Sequence, residues 1–179
     1  MKRLCAVLIN EWPKMNTNYL ASLLKAWNDA GVQTCVVTRD AGMGMRLGQH
    51  TENDIRQVVR YAREGQFEEL ILMTDDMMGP VFALDEMLLR MDRCSCSVWQ
   101  LTKGAPMFGF SSNVWSVLDG MAALSDVWEK CNLANLSICE LYDTSDLEEI
   151  SKVPMLDKPL LLVRDRKCPF FLHEVFHRD

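Results

Sequence analysis

The segment Leu70-Ile71-Leu72-Met73-Thr74-Asp75-Asp76-Met77-Met78-Gly79-Pro80 carries the clearest structural signal in the chain. Leu70–Thr74 is a short unbroken apolar run, the pattern of a strand buried on both faces. Asp75–Pro80 reads as a turn, with Gly79-Pro80 fixing it and letting a ligand approach the backbone. Two adjacent carboxylates directly after a buried strand belong at its C-terminal rim, open to solvent, where α/β sheets bind ligands. Carboxylates there can hold a hard divalent cation, and the cation can bridge phosphate oxygens. The plainer reading is that Asp76 caps the helix that follows.

The flanking segments alternate strand and helix. Leu4–Asn10 and the β-branched Val32–Thr38 read as strands. Between them Leu20, Leu23, Leu24 and Trp27 fall on one helical face, with Gly31 at the C-cap position. Arg39–His50 reads as a loop. Thr51 caps a second helix carrying Ile55, Val58, Val59 and Ala62 and ended by Gly65. Leu84, Met87, Leu88 and Met91 mark a third helix, and Ser97–Thr102 a fourth strand. This rhythm predicts an α/β fold: three layers, a mostly parallel sheet with helices on both faces. Beyond Thr102 the spacing predicts a loop over Lys103–Phe110, a strand over Ser112–Leu118 and a helix over Ala122–Cys131. It further predicts a solvated acidic helical face within 132–151 and late strands at Leu160–Arg164 and Pro169–Phe176. No linker or repeat divides the chain, so residues 1–179 read as one domain.

Composition narrows the function. With 19 basic against 25 acidic residues, the net charge is −6. That excludes the basic stripe of a nucleic-acid binder and a polybasic membrane anchor. No apolar run approaches the length of a transmembrane helix, and Leu4–Ile9 is too short for a secretory signal. The seven cysteines form no C-x-x-C and read as reduced thiols, which places the chain in the cytoplasm.

Other motifs carry less. Gly42-Met43-Gly44-Met45-Arg46-Leu47-Gly48 has the wrong spacing for a dinucleotide fingerprint. No phosphate-loop motif or nucleophile elbow is present. His173-Glu174-Val175-Phe176-His177 matches H-E-x-x-H, yet only Arg178 and Asp179 follow, and the preceding residues read as a strand entry. Trp99, Trp115 and Trp128 lie in apolar segments and read as core, like most of the 12 methionines.

From Phe67 to Thr102 the sequence resembles the rhamnan synthesis protein F family of glycosyltransferases. The family shows Asn-Asp-Ser after the strand and Gly-Pro two residues on. Here Asp75, Gly79 and Pro80 match, while Thr74 and Asp76 replace the Asn and Ser. A weaker likeness runs from Ser111 to Cys131. The resemblance implies a GT-A-like nucleotide-sugar fold and a role in rhamnan-type surface polysaccharide synthesis. It implies a nucleotide-sugar donor, a glycan acceptor and Mg²⁺ or Mn²⁺ as cofactor. Asp75 and Asp76 would hold the metal. Thr74, Asp75, Asp76, Gly79, Ser111 and Ser112 would line the donor site. The adjacent acids depart from the usual D-x-D, which leaves open a non-catalytic nucleotide- or sugar-binding module of the same fold. A zinc hydrolase built on His173 and His177 is a third alternative.

Overall fold

The computed structural model describes residues 1–9, 17–38, 52–121, 123–143, 163 and 167–172. In chain order the elements are β1 (Arg3–Ile9), α1 (Thr17–Asp29), β2 (Gln33–Thr38), α2 (Glu52–Glu64), β3 (Glu69–Thr74), β4 (Met77–Met78) and α3 (Asp85–Arg93). There follow β5 (Val98–Gln100), β6 (Met107–Ser111), two 3₁₀ segments (Ser112–Leu118 and Leu124–Asp126), α4 (Val127–Leu133), β7 (Ile138–Glu140) and β8 (Phe171–Leu172). Six strands form one sheet in the order β2-β1-β3-β6-β5-β7. Only β6 runs against its neighbours; the pairings β1–β2, β1–β3 and β5–β7 are parallel.

Strand alternation sorts the core into two layers. Cys5, Val7, Ile9, Ile71 and Met73 meet Leu23 and Trp27 of α1 and Met87 and Met91 of α3. Leu4, Ala6, Leu8, Leu70 and Leu72 meet Ile55, Val59 and Ala62 of α2 and Val127 and Cys131 of α4. The chain steps from β1 out to β2 through α1, then back past β1 to β3 through α2. Crossovers of one hand in opposite directions put their helices on opposite faces, as seen here.

The helix ends follow their sequences closely. Gly31, at φ 80°, closes α1 with bonds from its own N–H to Asn28 O and from Val32 N to Trp27 O. At the end of α2 the left-handed residue is Gln66 (φ 54°), one place beyond the expected Gly65. Gly65 is needed for space instead: a Cβ there would sit 2.4 Å from the Phe67 ring.

Glu69 opens β3 with a buried carboxylate that joins three strands. Arg3 Nε of β1 donates to Oε2 at 2.6 Å, and Trp99 Nε1 of β5 donates to Oε1 at 2.6 Å. Arg3 also bonds Asp92 of α3. Burial alone would lower the Arg3 pKa, but Glu69 and Asp92 outweigh it and the net shift is upward, so the guanidinium stays charged. Since β6 lies between β3 and β5, the indole must cross it, and it does so over Gly109. A Cβ at Gly109 would lie 2.1 Å from the Trp99 ring.

Several expectations need correction. The loop expected over Lys103–Phe110 contains most of β6, whose antiparallel hairpin with β5 needs no crossover helix. Ser112–Leu118 is 3₁₀ helix, because Val114, Trp115, Val117 and Leu118 are all buried and cannot alternate as a strand would. The acidic stretch after residue 132 contributes β7, paired with β5. Trp99 and Trp115 are core, but Trp128 is exposed. Cys96 and Cys139 are joined by a disulfide, so not all seven cysteines are free thiols. Of the expected late strands, Phe171–Leu172 is one, Pro169 and Phe170 precede it outside the strand, and Leu160–Arg164 lies outside the described residues except for Val163, which is not in a strand. Among the described residues, no helix is long and apolar enough to cross a membrane.

Gly109→Ala should lower unfolding free energy by about 1–3 kcal/mol through overpacking against Trp99. Glu69→Gln should cost about 3–5 kcal/mol by removing the buried partner of the Arg3 charge and leaving it only the half-exposed Asp92. Urea denaturation followed by tryptophan fluorescence checks both.

Candidate functional site

Register places the two acids. Leu8 of β1 pairs with Thr74, the last residue of β3, and the Asp75 N–H donates to Leu8 O at 3.1 Å. On the other side Thr74 N donates to Pro106 O, just before β6. Thr74-Asp75-Asp76 therefore sits on the rim where β1, β2 and β3 all end.

The acids occupy different environments. Asp75 is only 2% exposed, so the expectation of two solvent-open carboxylates holds for neither side chain in full. Asp76 is half-buried. The Thr74 hydroxyl lies 3.2 Å from Asp76 Oδ2, and its oxygen accepts the Asp76 N–H at 3.4 Å. This local turn orients the Asp76 carboxylate from its own strand. Asp76 does not cap the next helix: α3 begins only at Asp85, and its N-cap residue is Leu84.

The turn is held from outside as well. Tyr19 of α1 accepts the buried Gly79 N–H at 2.6 Å and donates to Gly79 O at 2.6 Å. Burial pushes the Tyr19 phenol up to about 12, against a smaller opposing effect of the Gly79 bond, so it remains a neutral donor at neutral pH. Gly79 has φ 135°, and a Cβ there would lie 2.3 Å from Pro169 O. The close approach that its glycine permits is thus made by the protein's own chain. Val81 N bonds Pro169 O, Phe170 stacks on Trp27 at 5.7 Å, and β4 pairs with β8.

Ser111 and Ser112 do not join this site. β6 is antiparallel to β3, so Ser111 pairs with Glu69 and Ser112 N bonds Glu68 O. Both lie at the opposite end of β3, five residues or about 17 Å from Thr74. The resemblance implies a donor-site role for them, but β6, antiparallel to β3, carries them to the other rim. His50, His173 and His177 lie outside the described residues.

Sequence reading missed Tyr19, which lies beside the apolar stripe of α1 and carries no local sign of its partner. The Thr74 hydroxyl and the Asp76 carboxylate, 3.2 Å apart, are oxygen donors at the rim, while the Asp75 carboxylate is buried next to them in sequence. That set suits a hard cation such as Mg²⁺ or Mn²⁺. A cavity of about 310 Å³ borders the turn at Pro80, between α1 and the start of α3, and one of about 470 Å³ lies at the end of α3; Thr74, Asp75 and Asp76 line neither.

No protein-family model matches the chain, and no curated protein does. Solved structures do. A Drosophila β-1,4-galactosyltransferase 7 mutant in complex with manganese, UDP-Gal and xylobiose aligns with TM-score 0.51 at 10% identity over 77% of this chain. A glycosyltransferase involved in the glycosylation of the major capsid of PBCV-1 aligns with TM-score 0.50 at 8% identity, covering 78% of this chain and 83% of that one. The chain spans 64% of the length of the galactosyltransferase. At such identities the likeness is one of fold alone: the mixed α/β architecture of this chain is similar to that of these two glycosyltransferases.

Tyr19→Phe should leave the buried Gly79 N–H without its acceptor and cost about 1–3 kcal/mol. Chemical denaturation measures the loss, and an unchanged midpoint would deny Tyr19 its clamping role.

Proposed function

We infer that the chain is a GT-A-like glycosyltransferase domain that binds a nucleotide-sugar donor together with a divalent cation at Thr74-Asp75-Asp76. The observation that carries this reading is the position of the acids: they follow the central strand at the sheet's C-terminal rim, within a glycosyltransferase fold. In this reading Asp76, half-exposed and oriented by Thr74, is the reachable ligand. Asp75 supplies a second carboxylate from beneath the surface. The bound cation would neutralise charge on the leaving diphosphate and so lower the barrier to glycosyl transfer. Tyr19 and the 167–172 segment keep the turn in place around Gly79, so little ordering remains for binding to supply. The manganese and UDP-Gal of the galactosyltransferase structure support a metal and a nucleotide sugar as the ligand classes. The resemblance of Phe67–Thr102 to the rhamnan synthesis F family supports a surface polysaccharide as product.

Calorimetry with UDP tests the site. Binding should need Mn²⁺ or Mg²⁺ and weaken at least tenfold, or about 1.4 kcal/mol, in Asp76→Asn. Metal-independent binding, or no effect of the substitution, would overturn it. Slow hydrolysis of a bound UDP-sugar separates an active transferase from a non-catalytic module of the same fold.

A further inference from the structure

Three cysteines gather where α3 ends and β5 and β7 run side by side. Cys94 directly follows α3, its N–H bonded to Met91 O. Cys96 lies in the bend leading into β5, and Cys139 is the β7 residue paired in register with Trp99. Their three sulfurs all lie within 4.8 Å of one another. Cys96 and Cys139 are bonded, and Cys94, half-buried, is a thiol beside them. Nothing in the carboxylate site uses these residues.

We propose that Cys94, Cys96 and Cys139 form a redox-gated zinc site: a disulfide with a third thiol beside it when oxidised, and a three-thiolate cage for one Zn²⁺ when reduced. A tetrahedral zinc with Zn–S of about 2.3 Å sets its sulfurs about 3.8 Å apart. The three sulfurs already lie within 4.8 Å of one another, so the spacing of a zinc cage asks for shifts of about an ångström once the S–S bond opens. Three thiolates select a soft ion such as zinc over the hard cations suited to the Asp75-Asp76 rim. Cys94 and Cys139 line a cavity of about 470 Å³ whose wall also carries Glu86, Arg90, Arg93 and Glu140. Glu86 is paired with Arg90, and Glu140 accepts the Lys103 N–H, so a water molecule from the cavity would supply the fourth ligand.

A dithiol reductant gives two electrons and two protons to the Cys96–Cys139 bond, which opens to two thiols while the reductant leaves as its own disulfide. Zn²⁺ then displaces the three thiol protons to water. A thiol oxidant reverses the sequence and releases the ion.

The test uses the full chain, reduced with dithiothreitol, desalted under anaerobic conditions and titrated with Cd²⁺ as a spectroscopic substitute for zinc. One equivalent should bind with a near-ultraviolet thiolate-to-metal absorption band, and equimolar Zn²⁺ should compete for it. Oxidation of the same sample with diamide should release the ion and abolish the band, a readout that needs no variant. Cys94→Ser should weaken binding at least tenfold, while Cys35→Ser leaves it unchanged. A reduced chain that takes up no ion overturns the proposal. So does an ion bound without the sulfur band, or binding indifferent to diamide or to Cys94→Ser.

Discussion

The carboxylate of Glu69 is the constraint on which the rest of the sheet depends. It is 4% exposed and accepts from Arg3 of β1 on one side and Trp99 of β5 on the other. A buried carboxylate is tolerable only with such partners. Meeting both needs sets β1 against β3 in one register and requires β6 to offer a residue without a side chain beneath the indole. Gly109 is that residue. A one-residue slip would turn every side chain of the buried strands to the wrong layer. The same register that pairs Arg3 with Glu69 at one rim pairs Leu8 with Thr74 at the other, and so fixes where Asp75 and Asp76 emerge.

The two ends of β3 thus have different tasks. At its start, charge is buried and neutralised within the protein. At its end, the strand delivers oxygen donors to a turn that is already shaped. Thr74 orients Asp76, Tyr19 grips both polar groups of Gly79, and Pro169 and Phe170 pack where a side chain at Gly79 would be. Placement of the 167–172 segment against α1 and β4 ties the turn to a distant part of the sequence.

Local pattern was enough for the first half of the fold. The apolar run Leu70–Thr74, the helical stripes of α1, α2 and α3 and the glycine closing α1 are all short-range signals, and the layered α/β architecture follows from them. The acids at the strand end were legible for the same reason. What was not legible depends on partners far away in sequence. β6 and β7 are short, and β6 carries a glycine demanded by Trp99 rather than by its own propensity. Its reversed direction moved Ser111 and Ser112 to the far rim. The Cys96–Cys139 bond needs β7 to lie beside β5, which no spacing of cysteines reveals. Arg3 and Glu69 did leave a trace: opposite charges at the start of two apolar strands, a pattern that makes sense only once those strands are neighbours.

The proposed role requires the rim beyond β3 to hold a divalent cation and a nucleoside diphosphate together. Anomalous diffraction at the manganese edge, from crystals grown with Mn²⁺ and UDP, tests it most directly. One strong peak should stand against the Asp75 and Asp76 carboxylates with the diphosphate beside it. Manganese found only at another place in the molecule, with UDP bound away from this rim, would contradict it.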